Sequence, residues 1–178
     1  KKGIVETREE KESEGIWKSV HIIDANSLAM WLSECPAVAV WLAAFIGKSI
    51  KDVCSLDKYW ELTVNSTIPQ LCVDFFTFGR KSVAMQVIEQ CNAGTKQIIL
   101  TGNSSMEALL TLAAELYVAD DLTQREFASK CIVIYTQAAL DEILTQYSNA
   151  VLIPTFAPRP ILPIRSSASI IIPAAKND

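Results

Sequence analysis

Apolar positions along this chain change their period partway. Between Asp24 and Thr63 they recur at helical spacing in three successive sets: Leu28, Trp31, Leu32 and Cys35; Val38, Trp41, Leu42 and Phe45; then Leu56, Tyr59, Trp60 and Thr63. Each set follows i, i+3, i+4, i+7, which puts its members on one stripe of a helix. Asn26 or Ser27 suits the N-cap of the first helix and Ser55 that of the third. Pro36 suits the first turn of the second helix, and Gly47 its stop. Stripes of this kind pack on one another or on a neighbour.

Ahead of them, residues 1–15 carry nine charges and read as an exposed helix closed by Gly15. Ile16 to Asp24 then reads as a strand with Trp17, Val20, Ile22 and Ile23 as its apolar members. Asn65 to Phe78 contains Pro69 and reads as a connector. Three segments follow from this: 1–64, a connector over 65–78, and an α/β domain over 79–178.

Beyond the connector the period alternates. A helix from Lys81 to Cys91 (Val83, Val87, Ile88, Cys91) leads to an apolar strand, Gln97 to Thr101. Ser104 with Glu107 forms a capping box for the next helix, whose face is Leu109, Leu112, Ala113 and Leu116. Thr123 and Glu126 repeat that device on a short helix before strand Ile132–Ile134. A helix from Ala138 to Tyr147 (Leu140, Ile143, Leu144, Tyr147) precedes strand Val151–Ile153. Solid apolar strands alternating with helices imply a parallel sheet covered on both faces. Pro154, Pro158, Pro160 and Pro163 then mark an irregular stretch, and Ile170–Ile172 reads as one more strand of open direction. The expected fold is α/β, a mainly parallel sheet flanked by helices and preceded by a strand and a small Trp-rich helical segment.

Composition narrows the functional classes. Half of the 178 residues are hydrophobic, enough to bury a sizeable core. The net charge of −4 is mixed in sign, so nucleic acid is not expected as a direct partner. The longest apolar run, Ala37 to Ile46, is about half of what a membrane span needs, so no membrane partner is expected. The five cysteines Cys35, Cys54, Cys72, Cys91 and Cys131 stand far apart and suit reduced core residues of a cytoplasmic protein, with no metal site. The absence of an initiator Met leads to the expectation that the chain is part of something longer.

Few residues offer chemistry. His21 is the single histidine, and any mechanism built on histidine depends on it. The Glu9-x-Lys11 spacing is half of a nuclease site, but here it falls on a helix and reads as a solvated face. The order Gly79-Arg80, helix, strand, turn, helix matches the opening of many P-loop ATPase domains. The turn Gly102-Asn103-Ser104-Ser105 would then be the phosphate cradle, since ligands of parallel sheets bind at strand carboxyl ends beside helix N-termini. It lacks the lysine and second glycine of G-x-x-x-x-G-K-[ST], and the strand at 132–135 ends in Thr136-Gln137 where an ATPase carries its magnesium-binding acid. A plain strand-to-helix turn is therefore the first reading, residual nucleotide binding by Arg80, Gly102, Asn103, Ser104 and Ser105 the second, and hydrolysis the third. No catalytic residue, metal ligand or cofactor is assigned. Trp31, Trp41 and Trp60 read as core or inter-domain packing, with a protein interface as a further reading.

Two blocks carry a resemblance. One is Glu14-Gly15-Ile16-Trp17-Lys18-Ser19-Val20 with Asp24 to Leu28, Trp31-Leu32, Pro36-Ala37-Val38, Trp41-Leu42-Ala43 and Ile46-Gly47-Lys48. The other is Gly79-Arg80, Thr101 to Ala108, and Val151 to Phe156. With these the chain resembles large bacterial multidomain proteins of antiviral defence, which join a restriction-endonuclease-like domain to a STAND-type NTPase-like domain and a helical sensor. The resemblance implies that residues 1–64 end a nuclease-like domain and run into a helical linker. It implies that 79–178 form a degenerate P-loop NTPase-like domain, and that the partners are other domains of the same longer chain, a homo-oligomer staying open. The implied role is a non-catalytic signalling scaffold. The alternatives are a small Rossmann-like enzyme holding a cofactor phosphate at 102–105, and a nucleic-acid-binding module.

Overall fold

The computed structural model describes residues 2–15, 19–20, 22–79, 83–159 and 167–176, with the backbone alone for 2–6 and 8. Trp17, His21, Arg80, Pro160 and Pro163 lie outside the described residues. The chain divides into two compact units, Lys1–Leu32 and Ser33–Asp178.

The first unit holds helix α1 (Lys2–Ser13) and most of α2 (Ala25–Glu34). Gly15 adopts φ 67° just past α1, where only glycine is at ease, and stops it as expected. The cap of α2 comes one turn earlier than Asn26 or Ser27, because the Asp24 carboxylate accepts the Ser27 N–H at 2.7 Å. No residue of α2 is buried, and Leu28 and Trp31 are 39% and 50% exposed. The strand expected over Ile16–Asp24 is not formed at Ser19, Val20 or Ile22 to Asp24, which are irregular. An apolar run becomes a strand only where a neighbour takes its backbone hydrogen bonds, and the first unit holds no other strand among its described residues.

In the second unit the elements run α3 (Pro36–Phe45), β1 (Val53–Ser55), α4 (Leu56–Asn65), α5 (Val73–Thr77), α6 (Val83–Asn92), β2 (Gln97–Gly102), α7 (Ser105–Tyr117), α8 (Leu122–Ala128), β3 (Cys131–Ile134), α9 (Gln137–Gln146), β4 (Val151–Pro154) and β5 (Ser169–Ala175). The five-stranded sheet has the order β1-β3-β4-β5-β2. Four strands are parallel, and β1 joins β3 antiparallel, with Cys54 opposite Val133. The strand at Ile170–Ile172, open in the sequence, is parallel and lies between β2 and β4.

This order fixes the layers. The β2-to-β3 crossover moves across the sheet in one direction, and β3-to-β4 moves back. Right-handed connections then send α7 and α9 to opposite faces. Accordingly Ile98, Val133, Ile153 and Ile171 pack with Leu109, Leu112 and Leu116 of α7, beneath Trp60 of α4 and Phe76 of α5. On the other face Ile132, Ile134, Leu152 and Ile170 pack with Leu140 and Ile143 of α9 and Ala37 and Val40 of α3. Because α7 is covered by the sheet on one side and by helices on the other, Leu110, Ala114 and even Thr111 and Glu115 are buried along with its expected stripe.

Helix α3 turns a different side inward from the one its spacing suggested. Pro36, Ala37 and Val40 are buried, while Trp41 and Phe45 are 55% and 77% exposed and stack on each other at 5.7 Å. The helix is apolar all round, so period alone could not choose a face, and small residues let its backbone approach the sheet. The cap of α8 is Asp121, whose Oδ1 accepts the N–H groups of Thr123 and Gln124. Thr123 and Glu126 do not form the second capping box. Glu126 pairs instead with Lys130 at 2.7 Å.

Candidate functional site

The carboxyl end of β2 meets the start of α7 at the turn singled out in the sequence. Gly102 and Ala175 are register partners at the ends of β2 and β5, and the Lys176 N–H donates to the Gly102 carbonyl at 2.9 Å. Gly102 is needed here for space. A Cβ on it would stand 2.9 Å from the Ala108 nitrogen and 3.1 Å from the Ala108 Cβ, so α7 starts too close to the strand for any side chain.

One of the turn's donors, the Asn103 N–H, is taken by the chain itself. Ser104 is extended at φ −144°, ψ 161°, and its Oγ accepts the Glu107 N–H at 3.1 Å. In return Glu107 Oε2 accepts the Asn103 N–H at 3.0 Å, and the Ser104 carbonyl accepts the Ala108 N–H at 3.0 Å. The expected capping box is present in a shifted form, with Asn103 giving its N–H where the usual box uses Ser104. A carboxylate thus lies against the positive end of α7, the place a phosphate would need. Ser105 and Met106 keep first-turn N–H groups with no partner in the helix, on an exposed rim.

The other strand ends are closed by hydrogen bonds that the sequence did not disclose. Asp52, at φ 60°, accepts the Tyr135 N–H through its carbonyl at 2.9 Å and the Thr136 hydroxyl through Oδ2 at 3.3 Å. Thr155 donates its N–H to the Ile134 carbonyl at 2.9 Å, and the Arg159 N–H donates to Gln137 Oε1 at 3.0 Å. The Cys54 thiol and Tyr135 hydroxyl are 3.2 Å apart. Burial raises both of their pKa values and so favours the protonated thiol and hydroxyl. Asp52 before a short β-run was the one available signal, since aspartate tolerates the left-handed region in tight turns.

Among the described residues no group of three metal-ligating side chains converges. Arg80 lies outside the described residues, but the helix it precedes is held by a buried acid. Glu115, 8% exposed, accepts the Ala84 N–H through Oε2 at 2.7 Å, while its Oε1 has no partner among the described residues. Burial raises the pKa of this carboxyl, and the Ala84 and Val83 N–H groups oppose the rise.

The three tryptophans have separate fates. Trp60 is 4% exposed, edge-on to Phe76 at 5.7 Å and 6.0 Å from Tyr117, and belongs to the core. Trp41 stands out from α3, and Trp31 is half-exposed on α2. No helix is long and apolar enough to cross a membrane among the described residues. No family model, curated protein or solved structure matches the chain.

Proposed function

We propose that this chain is a non-catalytic, NTPase-like signalling module of a multidomain bacterial defence protein, coupling a sensor to a nuclease-like effector. The family part of this reading rests on the sequence resemblance. The silent-site part is supported by one observation above the rest: Glu107 accepts the Asn103 N–H, so the chain's own carboxylate occupies the turn where a P-loop binds phosphate. Phosphoryl transfer relies on positioned cations and donors around the transferred group. An acid in that place repels polyphosphate and takes up the Asn103 N–H. The module then works by docking through the exposed Trp41 and Phe45 ridge; the Pro154–Pro163 stretch, also expected to take part, lies partly outside the described residues.

Titration of the full chain with a fluorescent ATP analogue and magnesium tests this. The expected result is no saturable binding up to about 1 mM, the level at which a ligand gains only ~4 kcal/mol, and no phosphate release. Micromolar binding with turnover would overturn the reading.

A further inference from the structure

The two edges of the sheet are unlike. At one, β1 is three residues long and tied down by the Asp52 turn. At the other, β2 is a six-residue strand, Gln97–Gly102, with no charged side chain. The Lys96 carbonyl accepts from Ile170 of β5 and the Gly102 carbonyl from Lys176 just past its end, so the even positions of β2 face β5 and the odd positions face away. The N–H and C=O groups of Gln97, Ile99 and Thr101 therefore point outward, with no hydrogen-bond partner among the described residues. Ile99 is also 64% exposed. An uncharged strand with open backbone groups is a template for another strand.

We infer that β2 is a homodimer interface, pairing antiparallel with β2 of a second copy about a two-fold axis through Ile99. The edge is self-complementary in three ways. In the antiparallel register centred on Ile99, Gln97 faces the partner's Thr101 and each Ile99 faces its symmetry mate. The three outward positions then exchange about six backbone hydrogen bonds. On the Ile99 face the cross-strand pairs are apolar at the centre and amide-to-hydroxyl on either side, both favourable combinations. The charges match as well. The register sets Lys96 of each copy opposite Gly102 of the other, beside the turn where Glu107 closes on Asn103, so a cation approaches a carboxylate twice. The product is one continuous sheet of ten strands, two copies of five, and the two-fold closes it.

Sedimentation velocity of the full chain from about 2 to about 200 µM, the range for a small interface, tests the inference. The weight-average coefficient should rise from monomer to dimer and stop there. Ile99→Lys puts two ammonium groups face to face at the axis and should weaken association at least about tenfold, with an unchanged thermal midpoint at about 2 µM, where both proteins are monomeric, because the site is exposed. Phe45→Lys, on the helix at the opposite edge, should still dimerise. Hydrogen exchange on the unaltered chain supplies a readout that needs no variant: the Ile99 and Thr101 amides should slow as concentration rises. A monomer at the highest concentration, open-ended polymers, a dimer indifferent to Ile99→Lys, or one abolished by Phe45→Lys would each overturn the inference.

Discussion

Gly102 and Ala108 approach so closely that a methyl group on the glycine would lie 2.9 Å from the alanine's backbone nitrogen. The atoms it would meet are backbone and a Cβ, which have no rotamer to move into. Gly102→Ala is expected to destabilise the chain by about 1–3 kcal/mol, as overpacking does. A urea-unfolding midpoint equal to that of the unaltered protein would show that α7 can shift away from β2 freely.

The Glu107 carboxylate serves α7 from its first turn. Glu107→Ala should cost about 1 kcal/mol, the usual value of a lost cap, while Glu107→Gln, which can still accept from Asn103, should cost less. Chemical denaturation of the two variants side by side checks the order. An equal loss for the two would mean that charge at the helix end, and not the hydrogen bond, holds the turn.

Buried Glu115 predicts a pH dependence whose sign is definite. Burial favours its neutral form, so its folded pKa lies above the unfolded value of ~4.3. Its favourable contribution is fully present below the unfolded pKa and is lost as pH rises through the folded one. Glu115→Gln carries no such proton. The unfolding free energy of the variant relative to the original should therefore increase from pH 4 toward neutrality. Unfolding curves that stay parallel over that span would refute this. Glu115→Ala should cost about 1–3 kcal/mol near pH 4, because the Ala84 N–H loses its acceptor, and less as pH rises and the original loses the contribution of its buried proton.

Trp60 and Trp41 should part in stability. Trp60→Ala empties a site between Phe76 and Tyr117 and should cost about 3–5 kcal/mol. Trp41→Ala, at an exposed position, should stay within about 0.5 kcal/mol. Thermal melts followed by far-UV circular dichroism distinguish them. A comparable loss at Trp41 would mean that its stack on Phe45 belongs to the core.

Much of the candidate site was legible in the residues. Ser104 three before Glu107, after an apolar strand and a glycine, announced a capped helix at a strand's carboxyl end. What stayed hidden was the use of the N–H groups. The bond from Asn103 to Glu107 requires a side chain to fold back over the turn, and no spacing rule distinguishes that from an open loop. The Asp52–Thr136 and Cys54–Tyr135 contacts join residues 84 and 81 positions apart, a separation at which a periodic pattern carries no information.

The sequence by itself determined which segments are helices and strands in the α/β part, where α4 and α7 begin, and that β3 and β4 are buried on both faces, whereas β2 leaves Gln97, Ile99 and Thr101 exposed. Periodicity, caps and turn residues act over a few positions, and there local physics suffices. Tertiary structure alone decided the rest: β1 as an antiparallel edge, β5 inserted beside β2, α3 turned to bury alanine and leave tryptophan outside, and no strand at Ser19, Val20 or Ile22 to Asp24. Each of these depends on which distant surface supplies a hydrogen-bond partner or a covering side chain, and a strand or an apolar face has no definite position until that neighbour is in place.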